Sequence, residues 1–142
     1  MSDSTERSAP ARPLPPESLA GAPFWEATRE QRLVLPWCPA CEQPYWYPRG
    51  FCPLCLSEDV DWREASGDAV VHSVSVQPKA PHPGLRDRAP YAVAIVELDE
   101  GVRMMVAVAA DDPWAVRIDD RVALGWEPLA DGRHLPVAIH TD

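Results

Sequence analysis

The sequence predicts a mainly β protein: an N-terminal helix, a zinc ribbon, and a five-stranded Greek-key barrel of OB type. Three observations carry this. Two Cys-x-x-Cys pairs, Cys38 with Cys41 and Cys52 with Cys55, stand ten residues apart and use all four cysteines of the chain. Beyond Gly67, five short runs alternate apolar and polar side chains with a period of two. Between the third and fourth runs lies a segment, 114–118, long enough for one helical turn only. Five short antiparallel strands with a small helical element after the third fit a partly open Greek-key barrel of OB type, a split sandwich being the alternative.

Residues 1–21 hold Pro10, Pro13, Pro15 and Pro16 among Ser, Ala, Glu and Arg, with little to bury, so a mobile tail is expected there. The next segment, 22–36, starts with Pro23 at a first helical position and continues with good helix formers, which predicts one amphipathic helix. Its apolar residues are few: Phe24, Trp25, Ala27, Thr28 and Leu33. It either caps the ribbon or barrel or docks on another protein.

The ribbon is expected over 37–66. Two residues between paired cysteines let a tight turn aim both sulfurs at one ion, and two such turns complete a tetrahedron of thiolates. One structural Zn²⁺ is the expected occupant, and iron in the same four-thiolate arrangement is not excluded by the sequence. A closed four-thiolate site has no open position for water or substrate, so the metal is expected to be a staple. Disulfides need an oxidising compartment, whereas the opening Met1, Ser2, Asp3 shows neither a basic nor an apolar leader region, and a cytoplasmic protein is expected. Tyr45, Trp46, Tyr47, Pro48 and Phe51 lie between the knuckles, as the ribbon's own small core or in part as an exposed anchor. Four of six tryptophans fall within the first 62 residues, which favours an intermolecular role and makes Phe24, Trp25, Trp46 and Tyr47 the candidate partner contacts.

The barrel is expected over 67–142, with strands at 69–76, 91–98, 102–109, 121–126 and 135–140. Asp99, Glu100 and Gly101 make a tight hairpin connection between the second and third. The connection from Gln77 to Pro90 is far longer than a hairpin needs, and such loops in compact domains are usually functional or disordered. It carries Lys79, Arg86 and Arg88 against Asp87 alone, in a chain of formal charge −9. That local positive patch is a candidate contact for the phosphates of a nucleotide-like ligand, or an ordinary solvated loop.

No apolar run approaches the roughly 18 residues of a membrane span. The negative charge opposes broad contact with a polyanion. His72, His82, His134 and His140 are scattered, there is no G-x-S-x-G or H-E-x-x-H, and the metal consumes every thiol, so no independent catalysis is expected.

The ordered set Phe24 with Trp25, Leu33, the two cysteine pairs, Tyr47-Pro48-Arg49, Gly67, the run 91–101 and the run 118–122 resembles the acyl-CoA-associated zinc-ribbon/OB-fold family, long catalogued as a domain of unknown function. The likeness spans about residues 22–140. It implies a helix, a rubredoxin-like ribbon and an OB barrel serving as a non-catalytic partner of thiolase-superfamily enzymes: thiolases, including one of aromatic degradation, steroid side-chain aldolases, or acyltransferases. The partner would carry the catalytic residues, and this chain would help hold acyl-CoA and complete the active site. By that likeness Cys38, Cys41, Cys52 and Cys55 match the metal ligands, and no catalytic residue carries over. Many relatives have Gly after each knuckle where this chain has Glu42 and Leu56, so either the turns are strained or the knuckles have another geometry. The competing expectation is a single-stranded nucleic-acid-binding ribbon/OB module, although the runs 92–98 and 104–109 lack a base-stacking ladder or basic stripe.

Overall fold

A computed structural model describes residues 12–140. Helix α1 spans Ala22–Thr28 and presents Phe24, Ala27 and Thr28 to the interior, the i, i+3, i+4 spacing of a single buried face. It is half the length expected from 22–36. The reason is local: Gln31 sits at φ 57, a left-handed conformation that no helix continues through. Beyond it Val34 is β-branched and Pro36 has no N–H, and both lie in strand β1 (Val34–Cys38). Strand β1 is the centre of a three-stranded antiparallel sheet, flanked by β2 (Gln43–Pro44) and β3 (Asp61–Glu64). The Arg63 guanidinium lies 4.3 Å from the centre of the Trp37 ring and ties β3 to β1.

Five strands then close a barrel: β4 (Asp68–Gln77), β5 (Tyr91–Leu98), β6 (Arg103–Ala109), β7 (Arg121–Pro128) and β8 (His134–His140), in spatial order β4-β5-β6-β8-β7. Every pairing is antiparallel except β6 with β8, which run parallel from Ala107 opposite Val137 to Ala109 opposite Ile139. Closure removes the sheet edges, where the sequence suggested a partly open barrel. The β5–β6 hairpin turns at Gly101 with φ 99, a conformation that costs any residue with a Cβ. A six-residue 3-10 helix occupies Pro83–Arg88 in the long loop, and a single 3-10 turn occupies Pro113–Ala115 after β6.

Period-two alternation sends Ala92, Ala94, Val96 and Leu98 of β5 inward, opposite Met104, Val106 and Val108 of β6. Phe24, Leu33 and Leu35 belong to the same buried cluster, so helix, ribbon strand and barrel share one core. Thr28 fixes the helix to the last strand: its Oγ1 accepts from the His134 N–H at 3.2 Å, and its carbonyl lies 2.8 Å from His134 Nδ1.

Of the expected tail 1–21, residues 1–11 lie outside the described residues. From Arg12 onward the chain is pinned to the barrel. Arg12 forms an ion pair with Glu127, and Arg133 donates from Nη2 to the Pro15 carbonyl at 2.9 Å. Arg133 is 2% exposed, held by Asp131 at 2.7 Å and stacked 4.8 Å from the centre of Trp25. No helix among the described residues is long and apolar enough to cross a membrane.

Candidate functional site

The four cysteine sulfurs converge, all within 4.8 Å of one another. Cys38 ends β1 and Cys41 follows in the turn to β2; Cys52 and Cys55 come from the second knuckle. The two knuckles are built alike. Glu42 donates its N–H to the Cys38 carbonyl at 2.7 Å, and Leu56 donates to the Cys52 carbonyl at 2.9 Å. Cys41 N–H points at Cys38 Sγ and Leu54 N–H at Cys52 Sγ, each at 3.4 Å. Closing each turn requires a left-handed residue, and Glu42 (φ 57) and Leu56 (φ 65) supply it. The knuckle geometry is therefore kept, at the cost of strain that glycine would avoid.

These thiols fit a tetrahedral metal ion. A tetrahedron of sulfurs about 2.3 Å from zinc has edges of about 3.8 Å. Cys38 Sγ and Cys55 Sγ are 3.6 Å apart, and Cys41 Sγ and Cys52 Sγ 3.9 Å, far beyond a disulfide bond. Ionisation points the same way. The Cys55 backbone N–H, followed by that of Leu54 and opposed by burial, lowers Cys52 to about 7. The hydrogen bond with Cys55, then burial and the other sulfurs, pushes Cys41 up to about 12. One thiolate is favoured and a second opposed, a repulsion that a bound cation would relieve. Tyr45 packs against Cys38 and Cys52, where burial, and then the two sulfurs, raise its phenol.

The expected partner-contact aromatics divide. Phe24 is 4% exposed, its ring 4.9 Å from both Trp25 and Trp46 in edge-on geometry, so it packs in the core and reaches the surface only in the wall of the groove it shares with them. Trp25 and Trp46 are half-buried, and Tyr47, 52% exposed, lies 5.3 Å from Trp46. Together they wall a groove of about 310 Å³ that also takes in Met105 and Leu135.

The three loop cations do not act as one patch. Lys79 and Arg86 line a recess of about 400 Å³. The 3-10 helix carries Arg88 away to an ion pair with Glu127, beside a larger cavity of about 480 Å³ lined by Arg12, Leu85, Tyr91, Trp126 and Ile139. Burial alone would raise Glu127, but the hydrogen bond from Arg88 and the charges of Arg12 and Arg88 hold it below the usual carboxylate range. Glu127 was not legible as a site residue, because its partners lie 115 and 39 positions away in the chain. Three histidines serve the fold: His82 Nδ1 accepts from Gly84 N–H at 2.9 Å, His134 binds Thr28, and His140 Nε2 lies 2.8 Å from Asp120. His72 is exposed on β4.

Comparison with known proteins agrees with this arrangement. Residues 25–61 match the rubredoxin-like zinc ribbon domain of ChsH2, and residues 62–127 match its C-terminal OB-fold domain. A protein of Thermomonospora curvata described as a probable enoyl-CoA hydratase alpha subunit is 36% identical over 126 residues. That match covers 89% of this chain and 39% of the relative. A DUF35 domain-containing scaffold protein of Methanothermobacter thermautotrophicus is 35% identical over 88 residues, 61% of this chain and 65% of the relative. The chain thus spans less than two thirds of either relative's length. Among solved structures, a chain of the Ltp2-ChsH2(DUF35) aldolase superposes with a TM-score of 0.81 at 35% identity, over 89% of this chain and 98% of that one. A DUF35-family protein of unknown function from Sulfolobus solfataricus shares the fold, with a TM-score of 0.63 at 12% identity, over 87% of this chain and 86% of that one. With both ChsH2 domains matched in order and the four thiols gathered at one point, the chain belongs to the ChsH2-type DUF35 family of zinc-ribbon and OB-fold proteins.

Proposed function

We propose that this chain is a non-catalytic accessory subunit of a thiolase-superfamily enzyme acting on an acyl-CoA ester. The observation that carries the reading is the near-complete superposition on the ChsH2 chain of an aldolase complex, at 35% identity. A relative described as a scaffold protein supports it independently. The chemistry of the chain agrees. The barrel interior is packed with Ala, Val, Leu and Met, and the four thiols are gathered in a closed cluster, so the chain offers shape and a fixed surface.

In this reading one structural Zn²⁺ is held by Cys38, Cys41, Cys52 and Cys55, supplying the rigidity that a small ribbon cannot draw from burial. Lys79 and Arg86 face the CoA phosphates, while Arg88 is committed to Glu127. The cytoplasm, where thiols stay reduced, is the compartment that suits such a site.

Affinity purification of the tagged chain from its native host tests the assignment. A thiolase-fold enzyme is expected to co-purify and to lose most of its activity when the chain is withheld. If no such enzyme is recovered, and every candidate thiolase or aldolase is fully active without the chain, the assignment fails.

A further inference from the structure

In a barrel, strands normally carry polar residues on their outer face. Here β5 and β6 are apolar on both over Tyr91 to Val96 and Met104 to Ala107. Inward-facing Ala92, Ala94 and Val96 alternate with outward Tyr91, Val93 and Ile95, and inward Met104 alternates with outward Met105. The register sets these outward side chains side by side: Ser73, Ile95 and Met105 form one row, Ser75, Val93 and Ala107 the next. They border a shallow trough of about 400 Å³, which shares Met105 with the groove walled by Trp46 and Tyr47. The two recesses form one continuous apolar surface.

Its electrostatics specify what fits. The chain has a formal charge of −9, yet both rows are uncharged. The nearest charges on these strands, Glu97 and Arg103, neutralise each other at 3.1 Å at the margin. Such a neutral window complements an uncharged apolar protein face and offers nothing to a polyanion. Met105, 60% exposed, is an adaptable contact, and Tyr47 beside Trp46 is a stiff aromatic one.

We propose that the outer face of β5 and β6, continued by Trp46 and Tyr47, is the docking surface for the partner subunit, which meets it with an uncharged apolar face. This rests on the accessory-subunit reading above. It commits the chain to contact through the barrel wall as well as the ribbon's aromatics, leaving the tip of the second knuckle, with Leu54 at 69% exposure, outside the contact.

The test uses the full chain and the thiolase-fold enzyme that co-purifies with it. Affinity is measured by calorimetry for wild type, Ile95→Glu, Met105→Glu and the control Leu54→Glu, with circular dichroism and melting temperature checked for each. Both barrel-wall variants are expected to weaken association at least 100-fold, and Leu54→Glu to stay within about threefold of wild type. A second readout needs no variant: peroxide oxidation of exposed Met105 is expected to slow at least tenfold in the complex, with buried Met104 as internal reference. Unchanged affinity of both variants, or unprotected Met105, overturns the surface assignment while the accessory role stands. Dimerisation of the chain alone through this face, abolished by Met105→Glu in sedimentation, also overturns it in favour of a second copy. Failure of the wild-type chain to bind any thiolase-fold enzyme is seen before any variant is made, and it removes both readings.

Discussion

Glu42 and Leu56 occupy left-handed backbone at the two points where the knuckles close, with φ values of 57 and 65. Replacing each with Gly removes about 1 kcal/mol of strain but adds roughly 0.5 kcal/mol of unfolded-chain entropy, for a net gain of about 1 kcal/mol over both sites. The double variant should melt about 3 °C higher and release metal more slowly to a chelator. Faster release would mean that these side chains do more than tolerate the turn. Glu127 offers a pH-dependent counterpart. Its carboxyl is held below the usual range by Arg88 and Arg12 against the pull of burial. A depressed carboxylate stabilises the fold above its unfolded-state value and loses that contribution as pH falls through its folded-state value. Glu127→Gln should therefore cost about 1 kcal/mol at neutral pH, after discounting for partial exposure, and nothing in strong acid where both proteins are neutral at this position. Denaturant midpoints at the two pH values check this. At this scale the convergence of the four thiols was legible, because Cys-x-x-Cys is a local geometry. The sequence could not reveal Glu127, because nothing near Trp126 and Pro128 signals Arg12 or Arg88.

Among the elements, the five barrel strands were legible to within a few residues, since alternation records the face each buries. The ribbon strands were not, β1 lying partly within the expected helix. Helix α1 was overextended because Arg29, Glu30, Gln31 and Arg32 are good helix formers. The chain leaves the helix there to carry Leu33 and Leu35 into the barrel core, a tertiary demand that overrides propensity. Leu35 is 2% exposed at this junction. Leu35→Ala should cost about 3 kcal/mol and destabilise ribbon and barrel together, whereas Leu54→Ala on the exposed knuckle should stay within about 0.5 kcal/mol of wild type. A single cooperative transition, read by both tryptophan fluorescence and far-ultraviolet dichroism, is the expected signature. The long loop shows the opposite limit. Its charges are neighbours in sequence, but the 3-10 helix at Pro83–Arg88 faces them to different recesses.

At the scale of the whole molecule, one core is shared while a second, small cluster contains only Cys38, Tyr45 and Cys52, with Cys41 against it. Three of those four residues are cysteines that could hold a metal ion, so little besides an ion would hold this cluster together. Chelation should unfold the knuckles and leave the barrel amides protected in hydrogen exchange; loss of barrel protection would mean that the metal supports the entire fold. The link between Thr28 and His134 bears on the order in which the chain assembles. Helix α1 rests against the final strand, and β8 also closes the barrel through its short parallel pairing with β6. The knuckles can gather their sulfurs as soon as Cys55 is available, since all their contacts are local. The helix preceding them has no complete seat until the chain has reached His134. The four thiols can thus meet early, and the docking of the helix that precedes them is among the last steps.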